Sequence, residues 1–197
     1  SLDMFVFFDG LFGHHKWGGA TTSPDGNNTY GANDPGNYSD SLPFYEEVAS
    51  FWIEELQIDG WRLDQAYQVP VQYWDDIRAS VEAACQANRN AGESWGTLGY
   101  MVGEIWSDES TIQNTGYGPD SSPALPSCFD FPMRYRLVQV LAQEESGLGG
   151  EPASKLDSGF ATHDTYANHA QPNLMLGNHD LVRFGDLIQR AGLGDYW

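Results

Sequence analysis

The sequence predicts an α/β fold built from parallel strands joined by helical crossovers. Three observations predict it. Short apolar runs alternate with segments of helical periodicity, connections between them are rich in Gly, Pro and Ser, and the apolar runs repeatedly end in an acidic residue.

The elements follow in order. Met4–Phe8 is a continuous apolar run ending at Asp9-Gly10, as expected of a strand covered on both faces. A polar, Gly-rich stretch from about His14 to Asp40 follows, and loops of that length tend to be functional. From Ser41, Phe44, Val48, Phe51, Trp52 and Leu56 recur at three- and four-residue steps, with Glu46, Glu47, Glu54 and Glu55 mostly opposite, so this segment reads as helix. Ile58–Asp64 is a strand. Val71 to Asn88 is a second helix with Tyr73, Trp74, Ile77, Val81 and Ala84 on one face and Gly92 past its end. Leu98–Trp106 is a third strand, Cys128–Pro132 a fourth, and Met133–Glu144 a helix. Asn173–Asp180 is a fifth strand, and Leu181–Ala191 begins a last helix. The helical apolar residues, Trp52 and Trp74 included, are assigned to the core.

Composition narrows the function. The chain has 197 residues, 41% of them hydrophobic, which suits a folded protein with a sizeable core. Its 28 acidic residues against nine basic ones give a formal charge of −19. Backbone phosphates and anionic lipid need basic patches, so nucleic acid and membrane are not expected partners. The acids are scattered as on a solvated surface. No apolar run approaches the ~20 residues of a membrane span. Cys85 and Cys128 lie far apart with no metal-binding spacing, and two buried thiols are favoured over a bridge.

Strands two to five of this reading, with the first, bring acids to their carboxyl ends: Asp9, Asp64, Glu104 and Asp180, with Asp130 near the end of the fourth. Ligands of parallel α/β folds bind at that edge, and carboxylates gathered there suit acid/base and nucleophilic chemistry. Strand alternation places Arg62 and Asp64 on one face. That pair is either a simple ion pair or a carboxylate held ionised for chemistry. Asp130 either lines the site or pairs with Arg134 or Arg136. His163 and His169 have no metal-box spacing, and His15 reads as a loop residue.

Four segments resemble the ordered motifs of the α-amylase family, glycoside hydrolase family 13: Asp9–His15 (DGLFGHH), Asp59–Asp64 (DGWRLD), Gly103–Trp106 (GEIW) and Gly177–Phe184 (GNHDLVRF). The resemblance implies a partial (β/α)8 barrel, about strands three to seven, with residues 15–40 as a short domain-B-like insertion after strand three. A full barrel typically needs ~250 residues, so the resemblance implies a piece of a longer chain, and exposed barrel edges would make it unstable or aggregation-prone in isolation.

What the resemblance implies about residues is specific. Asp64 matches the nucleophile and Arg62 the arginine that keeps it ionised. Glu104 matches the general acid/base, and its pKa is expected to be raised by nearby acids and by apolar Ile105 and Trp106. Asp180 matches the carboxylate that stabilises the transition state. His14 and His179 match the sugar-binding histidines, Asp9 the acid that orients them, and Arg183 a substrate-side arginine; Tyr67 and Trp106 complete the expected sugar contacts. The implied activity is retaining hydrolysis of α-1,4-linked glucans, with an α-glucan transglycosylase or cyclodextrin- or maltooligosaccharide-acting relative as the alternative, and a silent sugar-binding homologue third. The expected partner is therefore an α-glucan or maltooligosaccharide, with a secreted or periplasmic setting favoured.

The departures are equally specific. Gly13 stands where the family carries a calcium-binding Asn, so a structural calcium is not carried over, and the chemistry needs no cofactor or metal. Asp25, Asn27, Asn28 and Asp34 could build another calcium site, with a solvated loop the favoured reading. Tyr67 and Gln68 stand where many endo-acting amylases carry Lys-His. Trp17 and Tyr30 are candidates for stacking on sugar.

Overall fold

A computed structural model describes residues 41–193. The expected first strand and the stretch holding Asp9, Gly13, His14, His15, Trp17, Asp25, Asn27, Asn28, Tyr30 and Asp34 lie outside the described residues. The chain divides after Met101 into two compact units.

The first unit begins with α1 (Ser41–Leu56). Among its described side chains Val48, Ala49 and Ile53 are buried, on the spacing of one helical face, while Phe51 and Trp52, expected in the core, are half-buried and meet edge-to-face at 5.0 Å. Gln57, at φ 54°, ends the helix in the left-handed region, and β1 (Gly60–Leu63) follows. Trp61 fixes this strand to the helix by donating its indole N–H to the carbonyl of Ala49 at 3.0 Å.

A one-turn helix, Ala66–Gln68, leads to α2 (Val71–Ala91), whose buried face is Trp74, Ile77, Val81, Ala84 and Cys85. Gly92 ends α2 at φ 78°, a conformation that costs glycine little, and Arg89 lies in the last turn where a cation suits the helix dipole. α1 packs against α2. β2 (Tyr100–Gly103) comes next. Asp59 joins it to β1 twice: its carbonyl accepts from Tyr100 N–H at 3.1 Å, and its carboxylate accepts from Thr97 N–H at 2.9 Å. This close approach explains the glycine of the DGWRLD segment. A Cβ on Gly60 would sit 1.9 Å from the Tyr100 carbonyl oxygen.

In the second unit the end of β2 pairs in parallel with β3 (Ser127–Cys128), Val102 opposite Ser127 and Gly103 opposite Cys128. Between them α3 (Glu109–Ile112) is capped by Asp108, whose carboxylate accepts from Thr111 N–H at 2.8 Å, and continues as a π-turn, Gln113–Tyr117. α4 (Phe131–Leu141), α5 (Ser154–Thr162) and α6 (Phe184–Arg190) complete the unit. Val138, Ala142 and Leu187 form a buried cluster extended by Val182, Phe184 and Ile188.

All four expected strands within the described residues are shorter than the apolar runs suggested, the last two the most so. Cys128–Pro132 is strand only at Ser127–Cys128, because Asp130 is the N-cap of α4, accepting from Met133 N–H at 2.9 Å, and Pro132 suits the first helical turn. The fifth strand reduces to one parallel bridge, Phe129 with Asn173; residues 174–180 are irregular and end in a turn at His179-Asp180. The final helix starts at Phe184, three residues later than expected.

Candidate active site

In the first unit Arg62 and Asp64 occupy one face of the β1 terminus, as alternation requires. Arg62 Nη1 donates to Asp64 Oδ1 at 2.6 Å, with the side chains 33% and 17% exposed. This is a charge-assisted hydrogen bond in a partly shielded place. The turn after Asp64 is held from below: Gln65 takes a left-handed conformation, and Trp74 of α2 donates its indole N–H to the Ala66 carbonyl at 3.1 Å. Tyr67 lies in that turn and is exposed.

In the second unit Glu104 directly follows β2 and is buried, only 6% exposed, with fully buried Ile105 beside it. Trp106 is not buried with them. It is half exposed, lies flat on buried Phe131 at 5.0 Å with 9° between the ring planes, and donates its indole N–H to Tyr135 Oη at 3.0 Å.

Asp180 lies in a turn, not at a strand end. Its backbone N–H donates to Asn178 Oδ1 at 2.9 Å, and its Oδ2 lies 3.1 Å from His179 Nε2, with both side chains well exposed. Arg183 reaches back to donate to the Asn178 carbonyl at 2.9 Å. The turn is therefore shaped by its own GNHD residues and by Arg183.

Asp130 does not pair with either of the expected arginines. It is 2% exposed, caps α4, and its second oxygen lies 2.6 Å from His163 Nε2, so it pairs with a histidine and not with Arg134 or Arg136. Arg136 instead pairs with Glu109 at 2.6 Å. His163 in turn stacks on Tyr166 at 5.6 Å. His169 contacts the Tyr117 carbonyl at 2.9 Å and Asp120 at 3.2 Å. Both histidines thus serve hydrogen bonding within the unit. Among the described residues no group of three His, Cys, Asp or Glu stands together as a metal site, and no helix is long and apolar enough to cross a membrane.

Cys85 and Cys128 are free and buried. Burial pushes the Cys128 thiol up from 9.0 to about 12 and raises Tyr117 and Tyr166 above the ordinary phenol range.

The residues that sequence reasoning missed are Phe131 and Tyr135, which hold Trp106. The usable signal was Asp-Phe-Pro: read as a cap followed by a helix, it puts Phe131 and Tyr135 four residues apart on one helical face.

No protein-family model matches the chain. It is 28% identical over 137 residues to a cyclomaltodextrinase of Geobacillus thermopakistaniensis, covering 70% of this chain and 20% of that protein. It is 37% identical over 148 residues to a maltogenic alpha-amylase of Bacillus acidopullulyticus, covering 73% and 22%. Among solved structures, AmyP in complex with maltose is 52% identical with a TM-score of 0.76, covering 94% of this chain and 37% of that one. An Anoxybacillus alpha-amylase, 22% identical with a TM-score of 0.60, shares the fold. The chain spans about a fifth of the length of these curated relatives.

Proposed function

Because the chain belongs to the α-amylase family, glycoside hydrolase family 13, we propose that it is the catalytic part of a retaining glycoside hydrolase acting on α-1,4-linked glucans. The observation that carries this reading is the 52% identity, over 94% of the chain, to AmyP solved with maltose. On this reading β1, β2, β3 and the Asn173 bridge belong to successive strands of a (β/α)8 barrel, with their carboxyl ends at the sugar.

The residues divide the work as follows. Asp64, steadied by Arg62 at 2.6 Å, attacks the anomeric carbon and forms a glycosyl ester. Buried Glu104 gives its proton to the departing glycosidic oxygen as that bond breaks. Water then attacks the same carbon, Glu104 takes the water's proton, and Asp64 leaves as carboxylate. Two inversions retain configuration, which requires the carboxyls ~5–5.5 Å apart. Asp180 places negative charge beside the oxocarbenium-like transition state. Trp106 offers an aromatic surface to a sugar ring, and His179 and Arg183 contribute hydrogen-bond donors. Asp9 and His14 are assigned to the same sugar by motif alone.

The second reading is an enzyme that acts on cyclodextrins or transfers glucan chains. Tyr67 and Gln68, in place of Lys-His, change the leaving-group side, and relatives of this chain carry the names cyclomaltodextrinase and maltogenic alpha-amylase.

The test is hydrolysis of maltooligosaccharides by the full-length protein and by its Asp64→Asn and Glu104→Gln variants. Each variant should lose at least about a thousandfold in kcat/KM. Near-parental activity in either rejects the assignment, and products longer than the substrate favour the second reading.

A further inference from the structure

Two neighbouring residues of α4 touch the two acid-bearing segments of the second unit. Tyr135 accepts the Trp106 indole N–H at 3.0 Å, two residues beyond Glu104. Arg134, fully buried, donates from Nε to the Leu176 carbonyl at 3.3 Å, four residues before Asp180. The two side chains also touch each other, with the Arg134 guanidinium carbon 4.9 Å from the Tyr135 ring centre.

The Arg134 interaction is costly in isolation. Both Nη1 and Nη2 are buried and have no acceptor among the described residues. A buried cation so poorly paired is destabilising relative to an apolar side chain of similar length. What it contributes is geometric. Among the described residues, 174–180 have no strand partners beyond the Asn173 bridge and few main-chain bonds hold the segment before Asp180 in place. The bond to Leu176 supplies one from a rigid helix whose start is itself fixed by the Asp130 cap. Trp106 is in the same position on the other segment. It lies beyond the end of β2, with its ring set against Phe131 and its rotation about that contact stopped by Tyr135.

We infer that Arg134 and Tyr135 are positioning residues that set the Asp180 and Glu104–Trp106 segments from one helical turn. The inference rests on the glycosidase reading above. Neither residue needs to touch substrate. Their common helix means that a shift at the start of α4 moves both segments together, and placement errors of about an ångström at a reacting centre cost rate steeply.

The test uses the full-length protein with maltotriose, measuring kcat and KM separately together with the thermal midpoint. Tyr135→Phe deletes one half-buried oxygen and is expected to fold; it should raise KM about three- to tenfold, more than it changes kcat. Arg134→Met should lower kcat about ten- to a hundredfold without lowering the midpoint, a split that a purely structural role does not produce. Arg134→Lys, which keeps a donor for Leu176, should recover part of that loss. Parental kinetics in Tyr135→Phe, or a kcat loss in Arg134→Met that follows a lowered midpoint and is not recovered by Lys, overturns the inference. A parent protein with no activity on maltotriose overturns the glycosidase reading and this inference with it. An active parent with unaffected variants removes this inference alone.

Discussion

Arg62 Nη1 stands 2.6 Å from Asp64 Oδ1, the two side chains separated by a single residue on β1 and facing the same way. The pair is partly shielded from water, so its Coulomb and hydrogen-bond energy is screened less than at a free surface. Arg62→Lys keeps the charge but loses the planar fork. In the full-length protein it should reduce kcat/KM about ten- to a hundredfold, and Arg62→Met should reduce it further. Steady-state kinetics on maltooligosaccharides check the order, and equal activity in the parent and Met variant contradicts the assigned role.

Asp130 has two partners at once, the Met133 N–H and His163. Asp130→Ala removes a helix cap and leaves His163 without its acceptor. The expected loss is about 2–4 kcal/mol in chemical denaturation. Asp130→Asn retains a capping oxygen and should lose clearly less.

Two glycines separate steric from conformational demand. A Cβ at Gly60 meets the Tyr100 carbonyl oxygen at 1.9 Å, so Gly60→Ala must push β1 from β2 and should destabilise by about 3 kcal/mol. Gly92 has nothing within 4 Å of a Cβ but sits at φ 78°. Gly92→Ala should therefore cost only about 1 kcal/mol. Similar losses for the two would contradict the close strand approach.

Alkaline pH should weaken the fold through Cys128. Its thiol ionises near 9.0 when unfolded and at about 12 when buried. The folded state then holds its proton where the unfolded chain releases it. The resulting stability is complete below about pH 9 and is lost as pH rises from 9 toward 12. Buried Tyr117 and Tyr166, also raised, extend the loss in the same direction. Urea unfolding at pH 8 and pH 10.5 should show a smaller pH difference in Cys128→Ala than in the parent.

Much of this was legible in the sequence, for physical reasons that also explain the failures. Helical periodicity identified the buried face of α2, since Trp74, Ile77, Val81 and Ala84 lie on it as spaced. Two-residue alternation placed Arg62 and Asp64 together. Apolar runs marked where strands lie but not where they stop, because a run such as Cys128–Pro132 can pass from strand into a capped helix without a change of polarity. Asp130 decides that boundary through a bond to Met133. The Phe131–Trp106–Tyr135 arrangement was not legible, because it joins residues 25 or more positions apart through packing that no local pattern records.

The central claim is that Asp64 becomes covalently bonded to sugar during turnover. The most direct measurement is peptide mass spectrometry of the full-length protein after reaction with a slow, fluorinated α-glucosyl fluoride. The account predicts one added glycosyl group, on the peptide containing Asp64 and at that residue. A label on another carboxylate, or none while substrate is still consumed with inversion, would contradict it.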